Sequence, residues 1–75
     1  MRELVEVVVR SLVDHPERLT VTETQRGSAI VVEVVCDPED TGKVIGRQGR
    51  VIKAIRVLAR TLGLKAGRKV EVEVR

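Results

Sequence analysis

The sequence predicts an α+β fold, a small sheet with helices packed against one face, in one domain spanning residues 1–75. Three observations carry that prediction. Apolar residues recur at helical spacing near the N-terminus and again after residue 50, three segments carry strand patterning, and turn signals separate them in the order helix, strand, strand, helix, helix, strand. The 26 Val, Leu and Ile residues among 75 supply a core without disulfide or metal staples, which excludes a disordered chain.

Residues 2–14 place Leu4, Val5, Val8, Val9, Leu12 and Val13 on one helical stripe, with Glu3, Glu6, Arg10 and Asp14 opposite. Val7 falls on the polar side and is expected to be exposed. Pro16 disfavours helical geometry at His15, so this helix is expected to end near Asp14. Arg18 to Thr24 alternates and is rich in β-formers, Gln25-Arg26-Gly27 supplies a turn, and Ser28 to Cys36 is nearly continuously apolar, which together read as a hairpin. The second of these strands is the candidate for an interior position in the sheet.

Asp37-Pro38-Glu39-Asp40 reads as a helix start, with an Asp cap, Pro at the first helical position and acids in the first turn. The short helix it opens is expected to end around Val44-Ile45. Arg50 to Leu62 carries Val51, Ile52, Ile55, Leu58, Ala59 and Leu62 on one stripe, and Gly63 is expected to end the helix as its C′ glycine. Val70-Glu71-Val72-Glu73-Val74 alternates cleanly, as a strand covered on one face only.

The net charge of +3 conceals two opposite halves. Residues 1–40 hold four cations against nine acids, net −5, whereas residues 41–75 hold ten cations against Glu71 and Glu73, net +8. No acid occurs from Thr41 to Val70. So concentrated a positive footprint points to an anionic polymer, with a membrane surface or a merely solvated helix face as the other readings. The complete absence of Phe, Tyr and Trp excludes a nucleic-acid surface built on aromatic stacking.

Gly46-Arg47-Gln48-Gly49 lies between the two helices. Two glycines two residues apart let the backbone turn tightly and leave no Cβ between the loop and a ligand, so phosphates can approach main-chain N–H groups. The loop feeds the N-terminus of the following helix, where unsatisfied N–H groups and the dipole favour an anion. Arg50, Lys53, Arg56 and Arg60 fall in a single arc of that helix, opposite the apolar stripe. A dinucleotide fingerprint is excluded by Val44, and a P-loop by Arg50-Val51 after the last glycine.

The segment Val44-Ile45-Gly46-Arg47-Gln48-Gly49-Arg50-Val51-Ile52 resembles the core of a KH domain, whose GxxG loop joins two helices and clamps four nucleotides of single-stranded RNA. A helix and a strand placed before the core resemble the type II, prokaryotic arrangement. Asp40-Thr41-Gly42-Lys43 and Lys53-Ala54-Ile55-Arg56 are similar to the small bacterial single-KH-domain RNA-binding proteins. The resemblance implies a three-stranded mixed sheet covered on one face by three helices. It implies that Gly46, Arg47, Gln48 and Gly49 hold the sugar-phosphate backbone and that Val44, Ile45 and Ile52 floor an aliphatic groove for the bases. Arg50 and Lys53 would flank that groove, and from their positions Lys43 and Arg56 are expected to join them in tracking backbone phosphates. Self-pairing, and pairing with a second KH-containing RNA-binding protein, are also implied.

The expected function is therefore non-catalytic binding of single-stranded RNA, as an RNA chaperone or post-transcriptional regulator. The alternatives are a protein-interaction subunit of a KH-protein complex and a helix-turn-helix DNA reader. No catalytic residue, metal or cofactor is expected. Cys36 is a core residue without an activating neighbour, His15 an exposed imidazole at a helix end, and Glu71 and Glu73 the solvated face of a strand. One cysteine cannot form an internal disulfide, and the N-terminal apolar residues are interrupted by Glu6 and Arg10. A cytoplasmic protein without membrane attachment is expected.

Overall fold

A computed structural model describes residues Met1–Arg75. Its elements are α1 (Arg2–Arg10), β1 (Thr20–Arg26), β2 (Ala29–Val35), α2 (Thr41–Ile45), α3 (Arg50–Lys65) and β3 (Lys69–Val74), with single 3₁₀ turns at Pro16–Arg18 and Arg47–Gly49. The order is the one the sequence predicts. β1 and β2 form an antiparallel hairpin closed between Arg26 and Ala29, where Gly27 takes a φ of 63°. β3 then pairs in parallel with β2, which the α2–α3 crossover makes possible, so the sheet is mixed, its order is β1-β2-β3 and β2 is central.

Strand alternation divides the sheet into two unlike faces. Val21, Val32, Val34, Val70 and Val72 turn to the helices and join Val5, Val9, Ile52, Ile55 and Ala59 in the core, which Cys36 also enters. The opposite face carries Thr20, Thr22 and Thr24 of β1 against Glu33 of β2 and Glu71 and Glu73 of β3. Arg26 meets Glu73 there at 3.7 Å, and Arg75 meets Glu33 at 3.2 Å. Val31 and Val35 are apolar residues on that face: Val31 is buried at the centre of the sheet between Thr24 and Glu71, and Val35, opposite Thr20, is exposed.

Three boundaries differ from the sequence expectation. α1 ends at Arg10 and not near Asp14, because the backbone N–H groups of Asp14 and His15 donate to the carboxylate of Asp40, each at 3.0 Å, and are lost to the helix. α2 starts at Thr41 and not at Pro38: Asp37 accepts the Glu39 N–H at 2.9 Å and shapes a turn that precedes the helix. α3 runs through Gly63 to Lys65, and the glycine with left-handed backbone is Gly67, at φ 70°. Gly63 is there for packing, since a Cβ at that position would stand 2.6 Å from Val70 Cγ2 and 2.7 Å from the Arg68 carbonyl oxygen. Leu58 and Leu62, whose place on the apolar stripe predicts core positions, remain 52% and 42% exposed on the flank of α3. No helix is long and apolar enough to cross a membrane.

Candidate nucleic-acid interface

The loop between α2 and α3 owes its shape to its two glycines. Gly46 has φ 78° and ψ 171°, a region open essentially to glycine alone, and an added Cβ would lie 2.8 Å from the Val51 backbone nitrogen. Gln48 and Gly49 are both left-handed, at φ 57° and 75°. A hydrogen bond from the Gly49 N–H to the Gly46 carbonyl, 3.1 Å long, closes the turn. Arg47 and Gln48 are thereby pushed out to solvent at its tip. No side chain caps α3 and no carboxylate stands in its first turn, so its N-terminal N–H groups face the loop without an internal anion.

The ion pairs sort the cations sharply. Of 14 Lys and Arg residues, Arg2, Arg10, Arg18, Arg26, Lys43, Lys69 and Arg75 lie within 4 Å of a carboxylate. The other seven are Arg47, Arg50, Lys53, Arg56, Arg60, Lys65 and Arg68, and every one of them lies in the loop, on α3 or just beyond it. Arg50 reaches only the Gln48 side-chain oxygen, at 3.4 Å. Arg56 reaches from α3 to β3, where its Nε donates to the Val72 carbonyl at 3.2 Å. Uncompensated positive charge is thus confined to residues 47–68, from the GxxG loop along α3 to the turn after it, where an anionic chain would be attracted.

The profile of the KhpA/KhpB KH domain matches residues 2–74. The chain belongs to this KH-domain family. The RNA-binding protein KhpA of Clostridium perfringens is 47% identical over 74 residues, covering 99% of both chains, and that of Clostridium acetobutylicum is 42% identical at the same coverage. The Aquifex aeolicus RNA-binding protein KhpA is 36% identical over 99% of this chain and 94% of its own. The KhpA/KhpB KH domain is a non-catalytic one.

Within this KhpA/KhpB-type KH fold, the site residues expected from the sequence take different places. Gly46, Arg47, Gln48, Gly49, Arg50 and Lys53 gather at the loop and the first turns of α3, with all but the two glycines exposed. Ile45 is half-buried beside them. Val44 is 0% exposed and Ile52 only 4%, so they belong to the core and present no surface to a ligand, a correction to the expected groove floor. Both point inward because α2 and α3 bury these positions in the shared core.

Lys43 is also placed differently from expectation. Its ammonium group bonds the carboxylate of Asp14 and lies 3.7 Å from that of Asp40, so it is committed to an internal cluster and not offered to a phosphate. Asp40, 0% exposed, organises that cluster. Burial raises its pKa, but the N–H groups of Asp14 and His15, with His15 and Lys43 nearby, overcome this and hold it below the ordinary aspartate value. The hydrogen bond to Asp14 in turn raises Lys43.

His15 Nε2 lies 3.3 Å from Glu39, and that contact raises its pKa against the opposing effect of desolvation, with Asp37 and Asp40 adding to the rise. His15, Asp37 and Glu39 bring one ligand atom each within 4.8 Å of one another, but Arg18 already holds the Asp37 carboxylate at 3.2 Å. The sequence signals of this cluster were only an Asp beside a Pro-containing turn and a lone His, which say nothing of a contact across 25 residues.

Proposed function

We propose that the chain is a non-catalytic module that holds about four nucleotides of single-stranded RNA, with Gly46, Arg47, Gln48 and Gly49 on the sugar-phosphate backbone. Arg50, Lys53 and Arg56 flank the groove, and the aliphatic surface around Ile45 receives the bases. The observation that carries this reading is the confinement of all seven carboxylate-free cations to residues 47–68, a segment that begins at a GxxG turn before an uncapped helix N-terminus and runs the length of α3. The relatives named RNA-binding protein KhpA support it. We assign the module a cytoplasmic role as an RNA chaperone or post-transcriptional regulator, one KH unit over residues 1–75.

Such a footprint binds weakly alone, and pairing with a second copy or with another KH-containing RNA-binding protein raises avidity through effective concentration. Val57, Leu58 and Leu62, exposed on α3, support pairing by that helix. This keeps the protein-interaction reading as a companion to RNA binding. A helix-turn-helix reading loses its support, because α2 has only five residues and its Val44 is spent on the core.

The test is the double substitution Arg47→Asp with Gln48→Asp. Both side chains are exposed and aspartate tolerates the left-handed backbone at 48, so stability should stay within about 1 kcal/mol of the parent. Binding of single-stranded RNA, followed by fluorescence anisotropy, should be lost. Undiminished binding by the folded double variant would sink the site assignment.

A further inference from the structure

At the far end of α3 from the GxxG loop, the turn into β3 encloses an open groove of about 680 Å³ between Arg60 and Leu64 on one side and Arg68, Lys69 and Val70 on the other. Its charge is strongly one-sided. Arg60 and Arg68 have no carboxylate partner, and the only acid in the lining, Glu71, lies 3.9 Å from Lys69, a loose exposed pair with no hydrogen bond that leaves the ammonium group free to turn to a phosphate. Leu64 stands among these cations with 78% of its surface exposed, the most exposed large apolar side chain of the molecule. It occupies the polar arc of α3, where an aliphatic residue contributes nothing to the core.

The groove continues the surface already described. Arg50, Lys53 and Arg60 lie along one side of α3, so a line of unpaired cations leads from the loop to the groove. Arg56, bonded to the Val72 carbonyl, stands where α3 and β3 approach one another between the two ends. From Gly49 to Leu64 the helix rises about 22 Å at 1.5 Å per residue. A stacked tetranucleotide, about 14 Å long at 3.4 Å per nucleotide, falls short of that span.

We propose that Arg60, Arg68 and Lys69 form a second phosphate-binding seat for the same RNA strand, with Leu64 as an aliphatic platform for a base beside it. The preferred ligand is then a single strand longer than the four nucleotides of the loop site. This rests on the RNA-binding reading and extends it. Two features select a nucleic-acid strand over an acidic protein segment. The unpaired cations Arg50, Lys53 and Arg60 lead along α3 from the loop to the groove, and Leu64 is the only exposed large apolar side chain in the groove lining, the size of a base and too small to anchor a helix or strand.

The test compares a labelled U4 with a labelled U10 on the full chain, each titrated at several salt concentrations. The decamer should show a log–log salt slope steeper than that of the tetramer by about 1.4, for two further phosphates at roughly 0.7 each. The double substitution Arg68→Glu with Lys69→Glu should lower decamer affinity at least tenfold and remove the slope difference. It should change tetramer affinity less than twofold, because about 22 Å exceeds the screening length of about 8 Å at physiological salt. Should the charge reversal disturb folding, judged by the thermal unfolding midpoint, Arg68→Gln with Lys69→Gln asks the same question. Unchanged decamer binding, or equal losses on both probes, overturns the second seat. Decamer binding that survives Arg47→Asp with Gln48→Asp overturns the loop reading instead, so the two failures are distinguishable.

Discussion

The buried carboxylate of Asp40 holds the backbone N–H of His15 at 3.0 Å, joining the connection after α1 to the N-terminus of α2 across 25 residues of sequence. Its second oxygen takes the N–H of Asp14, also at 3.0 Å. Position and orientation of the GxxG loop depend on this link, since α2 has only five residues between Asp40 and Gly46.

Replacing Asp40 by Asn should therefore cost more thermal stability than replacing any exposed acid, because the amide accepts on one atom only, leaves a part-buried N–H unpaired and sets its own N–H₂ against it. The variant should also lose an acid-dependent step. A folded-state pKa held below the unfolded value near 3.8 stabilises at neutral pH, and this stability disappears as pH falls through the lowered value. Melting temperatures measured from pH 2 to 7 should fall at the acid end for the parent, and less steeply for Asp40→Asn.

His15 carries the opposite sign. Its pKa is raised above 6.5 by Glu39 first, then by Asp37 and Asp40, so protonation favours the folded state. The contribution is complete below pH 6.5 and is lost as pH rises through the higher folded value. His15→Gln should flatten the dependence of melting temperature on pH above 6.5, and titration of the imidazole by NMR should place its midpoint above that of a free histidine. A midpoint at or below 6.5 contradicts the contact with Glu39.

The glycines were legible to different depths. Gly46 and Gly49 announced a tight turn by spacing alone, and their positive φ values agree. Gly63 was misread as a helix stop, because a one-dimensional pattern cannot distinguish a glycine chosen for its backbone from one chosen because β3 passes close by. Leu58 and Leu62 were misread for a related reason: the apolar stripe of α3 is wider than the area the sheet covers, and periodicity does not report where coverage ends. Element order, the central position of β2 and the loop came through because each is written in local pattern. The Asp40 cluster and the partners of each cation did not, because they are contacts between distant segments.

These two kinds of glycine separate in a stability experiment. Gly46→Ala combines a nearly forbidden backbone region with a clash at the Val51 nitrogen, and should cost about 3 kcal/mol, the upper range for such strain. Gly49→Ala meets nothing closer than 3.8 Å and should cost only the left-handed backbone, about 1–2 kcal/mol. Gly63→Ala should fall between them at about 2–3 kcal/mol, in the upper part of the range for overpacking, against Val70, although its own backbone is ordinary helix. Urea denaturation of the three variants gives the order directly.

The division between paired and unpaired cations makes the last prediction. Neutralising Arg47 or Lys53 to Gln removes a charge that has no internal partner, so folding stability should stay within about 0.5 kcal/mol. If each side chain meets one phosphate, RNA affinity should fall and the log–log salt slope should become shallower by about 0.7 for each substitution. Arg26→Gln removes a charge of the same kind that is paired with Glu73 on the helix-free face of the sheet. It should leave both affinity and slope unchanged while lowering the net charge just as much. A shift in slope common to all three variants would mean that RNA responds to total charge, and the surface around the GxxG loop would then lose its claim to be the binding site.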